Sequence, residues 1–251
     1  MSGHSKWAGI KHKKAIVDAK RGQTFTKVAR EITLAAKAGG PSVDGNFRLR
    51  LAVQKAREVN MPADKIKGAI ERGAGGAAGD TLEELRYEGY GPAGVAVLVD
   101  AVTDNRNRTS ASLRHLFAKN GGNLAETGSV GYMFERKGVI EIGAAGRDPE
   151  ELSLVAIEAG AEDIQVEDQS VEVTTGPNEF EAVRLALEKA GGQIENAEVT
   201  MQPKTSVSVG EDKASAVLRL LEALEEDDDV QQVYANFDIP ADVLERASAQ
   251  V

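Results

Sequence analysis

The side chains best suited to chemistry are crowded at the start of the chain. His4 to Lys14 reads HSKWAGIKHKK, with four lysines, two histidines and the only tryptophan among 251 residues. Cations at this density bind polyanions, because each phosphate they neutralise releases a condensed counterion. Trp7 can stack on a base or a ribose, which phosphate contacts alone cannot do. Packing with Ile10 to fasten the arm is its other reading. Lys6, Lys11, Lys13, Lys14, Lys20, Arg21, Lys27 and Arg30 set eight cations against a single acid, Asp18, in the first 30 residues. His12 lies among them. Further along, Arg48 and Lys55 are seven residues apart, as are Arg50 and Arg57, so each pair shares a helix face. Lys65, Lys67 and Arg72 extend the series.

Other chemistries find little support. The chain has no cysteine, which removes disulfides, thiol nucleophiles and Cys-ligated zinc and fits a reducing compartment. His4 and His12 are eight apart, not at the i, i+4 spacing of two ligands on one helical face. His115 neighbours Arg114 and reads as a packing or surface residue. No nucleophile elbow is present. GAGGAAG, Gly73 to Gly79, lacks the preceding strand and the Gly-Lys-Ser/Thr ending of a phosphate loop and reads as a linker. YGPAG reads as a turn before a strand. EEDDD, Glu225 to Asp229, reads as a solvated acidic turn, with a Mg²⁺-binding patch or a screen against nucleic acid as alternatives. We therefore expect no catalytic residue, no metal, no cofactor and no small-molecule substrate. The first lysines are not followed by an apolar stretch, and no run approaches the length of a membrane span. The expected location is cytoplasmic, without a membrane partner.

Net charge divides the chain. Through Gly75 there are 16 Lys and Arg against 6 Asp and Glu, a net of +10, whereas the remainder holds 14 against 34, a net of −20. That break marks a domain boundary and two faces for different partners. The expected partner is nucleic acid, either ribosomal RNA on the ribosome or DNA. Lys and Arg suit phosphates, and the arm has little Asn or Gln for reading adenine. Shape and backbone recognition of structured RNA is therefore favoured. Two loops join the candidate interface. Asn60-Met61-Pro62 forms a stiff connection flanked by Arg57 and Lys65. TDNRNRTSAS, Thr103 to Ser112, places Arg106 and Arg108 at a strand-to-helix turn whose free N–H groups suit a phosphate. Capping of that helix by Thr109 or Ser110 is the plainer reading of the loop.

The elements that must position these residues follow from periodicity. Phe25, Val28, Ala29, Ile32 and Ala36 recur at helical spacing, and Gly39-Gly40-Pro41 ends that helix. A second helix starts near Asp44 or Asn46, with Leu49, Ala52, Val53 and Ala56 on its apolar face and Asn60 as C-cap. Pro62 opens a third, with Ile66, Ala69 and Ile70 facing inward. Beyond Leu85 the pattern becomes mixed: a strand at 94–103, a helix at 109–119, a hairpin around Arg136-Lys137-Gly138, a helix at 149–159, a hairpin of DIQVED with SVEVTT, and helices at 179–190 and 212–226. The expected fold class is α+β: a basic arm and three-helix bundle, then two ferredoxin-like α/β sandwiches, one inserted in the other. The corresponding units are 1–75, 80–129 plus 205–251, and 130–204.

GHSKWAGIKHKKAIVDAKRG, NMPADKIKGAIERG, YEGYGPAGVAVLVDAVTDNRNRT and GGNLAETGSVGYMFERKGVI together resemble the YebC family, in order and over essentially the whole chain. Its mitochondrial relatives are translational activators of cytochrome c oxidase subunit I. The resemblance implies three domains, a helical one and two α/β ones with one inserted. It also implies a cytoplasmic, non-enzymatic factor in gene expression, of a kind described both as DNA-binding regulators and as ribosome-associated factors. Gly9 stands where the family commonly has Asn, and Ala63 and Glu71 where it commonly has Lys. The last two lower the positive charge of the third helix.

Overall fold

A computed structural model describes residues 19–75, 82–143, 146–167 and 170–248. Lys6, Trp7, Lys11, His12, Lys13 and Lys14, and most of the glycine-rich segment, lie outside the described residues. Three helices come first: α1 (Ala19–Gly39), α2 (Phe47–Glu58) and α3 (Ala63–Gly73). The side chain of Asn46 accepts the Leu49 N–H at 3.1 Å and so starts α2, the usual N-cap arrangement. Leu49, Ala52, Val53 and Ala56 are all buried. They meet Val28, Ile32, Ala35 and Ala36 of α1 and Ile66 and Ala69 of α3 in one core. Val59 is the C-cap of α2, and Asn60 follows it in the left-handed region at φ 58°. Pro62 is the N-cap of α3, one residue outside the first turn. Gly73 lets α3 approach α1, because a Cβ there would sit 2.2 Å from the Thr33 carbonyl oxygen.

The outer sheet contains β1 (Glu83–Tyr90), β2 (Ala96–Thr103), β3 (Asn123–Leu124) and, from the far end of the chain, β9 (Val230–Ala235), in the order β3-β1-β2-β9 and antiparallel throughout. Sequence reasoning gave one strand before the helix here; the YGPAG turn in fact joins two. A 3-10 turn over Pro92–Gly94 closes this hairpin. On one face lie α4 (Arg106–Lys119) and α7 (Glu211–Glu225). Leu113 and Phe117 of α4 and Val217, Leu218, Leu220, Leu221 and Leu224 of α7 pack on Val97, Val99 and Val233. A last helix, α8 (Ala241–Ser248), absent from the sequence reading, adds Leu244 to that core. β8 (Val207–Ser208) pairs in parallel with β10 (Phe237–Asp238).

Between β3 and β8 the chain builds a second sheet from β4 (Phe134–Gly143), β5 (Ala161–Glu167), β6 (Ser170–Thr175) and β7 (Gln193–Pro203), in the order β5-β6-β4-β7, with α5 (Pro149–Ala159) and α6 (Phe180–Lys189). The succession βαββαβ in an antiparallel sheet is ferredoxin-like. The expected hairpin at 136–138 is not there: β4 runs unbroken through Arg136-Lys137-Gly138. Gly138 is not a turn residue. It is small because a Cβ would lie 2.3 Å from Thr175 Oγ1 and 2.6 Å from Phe180 Cδ2, a close approach of the kind that puts glycine inside strands. Phe134, with the partly buried Met133 and Met201, packs on Ala96, Leu98 and Tyr234. This root of the inserted sheet covers part of the second face of the outer one. The fold class is therefore α+β, with a helical N-terminal bundle and one sandwich inserted in another.

Candidate nucleic-acid interface

The helices present the predicted cations in three distinct settings. Lys20 and Arg21 fall in the first turn of α1. Lys27 and Arg30, about two turns further, do not project freely. Lys27 Nζ donates to the Glu225 carbonyl. Arg30 donates to the Asp228 carbonyl and pairs with the Asp229 carboxylate at 3.0 Å. Gln23 adds a bond to the Glu226 carbonyl at 3.2 Å. Burial pulls the Lys27 ammonium below the usual lysine range, and Asp227 and Asp228 counteract only part of that. One face of α1 is thus clamped to the turn after α7. The acidic run EEDDD is an internal docking point, not the solvated turn that composition suggested.

Asp229 is the centre of that junction. It is 5 % exposed. Its carboxylate accepts from Thr109 Oγ1 at 2.7 Å, Thr103 Oγ1 at 3.3 Å and Arg108 at 3.0 Å, besides Arg30. Burial pushes the Asp229 carboxyl up, and the hydrogen bonds from Thr109 and Arg108 with the two guanidinium charges outweigh it, leaving it below the ordinary aspartate value. Arg108 also holds Asp104 at 2.8 Å. It acts as a strut between the loop and Asp229. The helix α4 is capped by Asn105, whose side chain accepts the Arg108 N–H at 3.1 Å. Thr109 lies inside the helix, fully buried, so neither it nor Ser110 is the cap. Arg106 is exposed.

On α2, Arg48 pairs with Glu84 of β1, and Lys55 with Glu31 of α1 at 3.3 Å. Both cations stay about half exposed, and such surface pairs are weak enough for a phosphate to displace. Lys65 of α3 stands over the Phe25 ring, 5.8 Å from its centroid, a cation–π distance. Asn60 and Pro62 are exposed, whereas Met61 is 6 % exposed and belongs to the bundle core. The Asn60-Met61-Pro62 loop therefore offers its backbone and two flanking residues, while the methionine fixes it from below. Arg30, Met61 and Lys65 come together, with Phe25 and Arg72, around an open cleft of about 650 Å³ between α1 and α3 that reaches Leu82 and Asp104 of the outer unit.

Sequence reasoning did not single out Asp229. Nothing distinguishes it from four acidic neighbours until the fold turns it inward. No group of three or more His, Cys, Asp or Glu among the described residues could hold a metal ion. No helix among them is long and apolar enough to cross a membrane.

Comparison with known proteins gives the same answer over both parts of the chain. Residues 5–76 match the model of the TACO1/YebC N-terminal domain, and residues 82–237 that of the TACO1/YebC second and third domains. A probable transcriptional regulatory protein of Natranaerobius thermophilus is 54 % identical over 248 residues, covering 98 % of this chain and 99 % of that one. Another, from Dehalococcoides mccartyi strain CBDB1, is 53 % identical over the full length of both. The crystal structure of a conserved hypothetical protein from Aquifex aeolicus superposes with a TM-score of 0.80 at 51 % identity, covering 90 % of this chain and 93 % of that one. With both domain models matched in order and identity above one half along the whole length, the chain belongs to the TACO1/YebC family.

Proposed function

We propose that this protein is a non-enzymatic, nucleic-acid-binding regulator of gene expression that works in the cytoplasm by docking its basic N-terminal unit onto ribosomal RNA. The observation that carries the reading is the separation of charge: +10 through Gly75 against −20 beyond it. A surface of one sign, held apart from a repelling remainder, fixes orientation on a polyanion as well as affinity. In this reading residues 1–75 grip the RNA. Residues 80–129 with 205–251, and 130–204, set the geometry or touch proteins. Lys6, Lys11, Lys13, Lys14, Lys20, Arg21, Arg48, Lys55, Lys65 and Arg106 supply phosphate contacts, with Trp7 stacking, His12 assisting, and Asn60 and Pro62 at the edge. Lys27 and Arg30 contribute only if the junction with the acidic turn opens. Co-sedimentation with ribosomes tests this. Retention at moderate salt and release at high salt is expected, and a protein that stays in the supernatant at every salt is not such a factor.

A second reading is favoured by the relatives' own names, which describe probable transcriptional regulatory proteins. It has the same surface bind duplex DNA. It requires a defined promoter duplex to bind far more tightly than random duplex at fixed salt, since any basic surface binds both non-specifically.

A further inference from the structure

Helix α2 carries a second feature that its cations alone do not explain. Its core side, Leu49, Ala52, Val53 and Ala56, is buried. With 3.6 residues per turn, Phe47, Leu51, Gln54 and Glu58 line the diametrically opposite side. Phe47 is 51 % and Leu51 42 % exposed. An apolar pair this exposed, at i and i+4 on a polar helix, is out of phase with the core and belongs to none of the core clusters of the described residues. The same geometry puts Arg48 and Lys55 along one flank of the stripe and Arg50 and Arg57 along the other. Four cations face one acid, Glu58, on this 12-residue helix, and the Gln54 amide donates to that carboxylate at 3.1 Å. Arg50 donates to the Val43 and Asp44 carbonyls, which orients the guanidinium, and lies within electrostatic reach of Glu181 on α6.

An apolar stripe between two cationic rows suits flat bases in the middle and phosphates on both sides. We infer that the outward face of α2 receives unpaired nucleotides of RNA. Phe47 is the stacking platform for one base, Leu51 covers the adjoining ring or ribose, and the flanking Arg48, Lys55, Arg50 and Arg57 take the phosphates. A duplex does not fit this role, because its bases are already stacked and their faces closed. A protein helix would use Phe47 and Leu51, but its carboxylates would do no more at Arg48 and Lys55 than Glu84 and Glu31 already do. The inference rests on the reading above that this unit binds RNA, and it names the residues and the kind of nucleotide that reading leaves open.

The test uses the full-length protein, a fluorescein-labelled single-stranded RNA 12-mer and a labelled blunt-ended RNA duplex of the same length, with anisotropy read at one fixed salt concentration. Thermal melts first check that Phe47→Ala, Phe47→Leu and Phe47→Trp fold as the parent does. One base–aromatic stack corresponds to a loss of about 5-fold or more in affinity. Both Phe47→Ala and Phe47→Leu are expected to lose this on the single strand and less than 2-fold on the duplex. Phe47→Trp is expected to bind like the parent, and its emission beyond that of Trp7 is expected to be quenched by the RNA. Parent-like binding by Phe47→Leu overturns the stacking role and leaves a merely apolar contact. Equal losses on both RNAs overturn the preference for unpaired nucleotides. A parent protein that binds neither RNA at low salt refutes the functional reading itself, a different result from parent binding that Phe47→Ala does not change.

Discussion

Two carboxylates show how one residue type acquires opposite behaviour from its surroundings. Glu141 on β4 faces Glu172 across the β4–β6 ladder. Burial first, and then the charges of Glu172, Glu198 and Glu195, push its carboxyl up to about 7. The folded chain therefore holds this proton more tightly than the unfolded chain does. The stabilisation is fully present below the ordinary glutamate value and is lost as pH rises through about 7. We expect Glu141→Gln to remove that loss, raising the melting temperature at pH 8 by on the order of 2–4 °C and by much less at pH 5. Calorimetry at both pH values checks it. Glu88 on β1 is the reverse. Burial pushes it up, but the backbone N–H groups of Gly128, Val130 and Gly131 donate to it and hold it below the ordinary value. Its contribution is present above the unfolded value and is lost as pH falls through the lowered one. Glu88→Gln is expected to destabilise by about 1–3 kcal/mol at pH 7, a difference from the parent that shrinks in strong acid.

Between elements, the decisive quantities are close approach and junction charge. Gly73 brings α3 against α1 where a Cβ would overlap the Thr33 carbonyl and crowd Ala36. Gly73→Ala raises local helix propensity, yet the expected result is a loss of about 1–3 kcal/mol from overpacking, read by denaturant unfolding. The junction of α1 with the turn after α7 depends on Asp229, which joins Arg30, Arg108, Thr103 and Thr109. Asp229→Asn keeps the shape and removes the charge. It is expected to increase amide exchange in the first half of α1 and at the start of α4, while β6 and β7 in the inserted sheet remain as protected as in the parent. Unchanged exchange in α1 would show that the bundle is held by other contacts.

For the molecule as a whole, charge separation makes a prediction that no single residue makes. Binding of RNA should weaken linearly in log Kd against log salt, with a slope set by the number of phosphates neutralised. Reversing Lys11, Lys13 and Lys14 to Glu is expected to flatten that slope by about three contacts or more and to weaken all nucleic-acid binding together. A slope that does not change would mean these lysines touch no phosphate.

Much of the fold was legible because it depends on local pattern. Leu49, Ala52, Val53 and Ala56 announce a helix face by spacing alone, and Gly191-Gly192 ends α6 where the turn residues stand. The charge break at Gly75 and the cationic rows of α2 were equally plain, since they are properties of composition and of the 3.6-residue repeat. Other features depended on residues far apart in sequence. Gly138 looks like a turn until Thr175 and Phe180 are beside it. Met61 looks like part of an exposed loop until the bundle closes over it. Lys27, Arg30 and Arg108 look like free cations until the turn from Glu225 to Asp229 arrives some 120 to 200 residues later to hold them. Periodicity and charge are set by neighbours along the chain, so the sequence alone determined every helix but α8, the class of fold and the sign of each surface. Which cations stay available to a partner depends on long-range burial and pairing, and only the tertiary structure decided that.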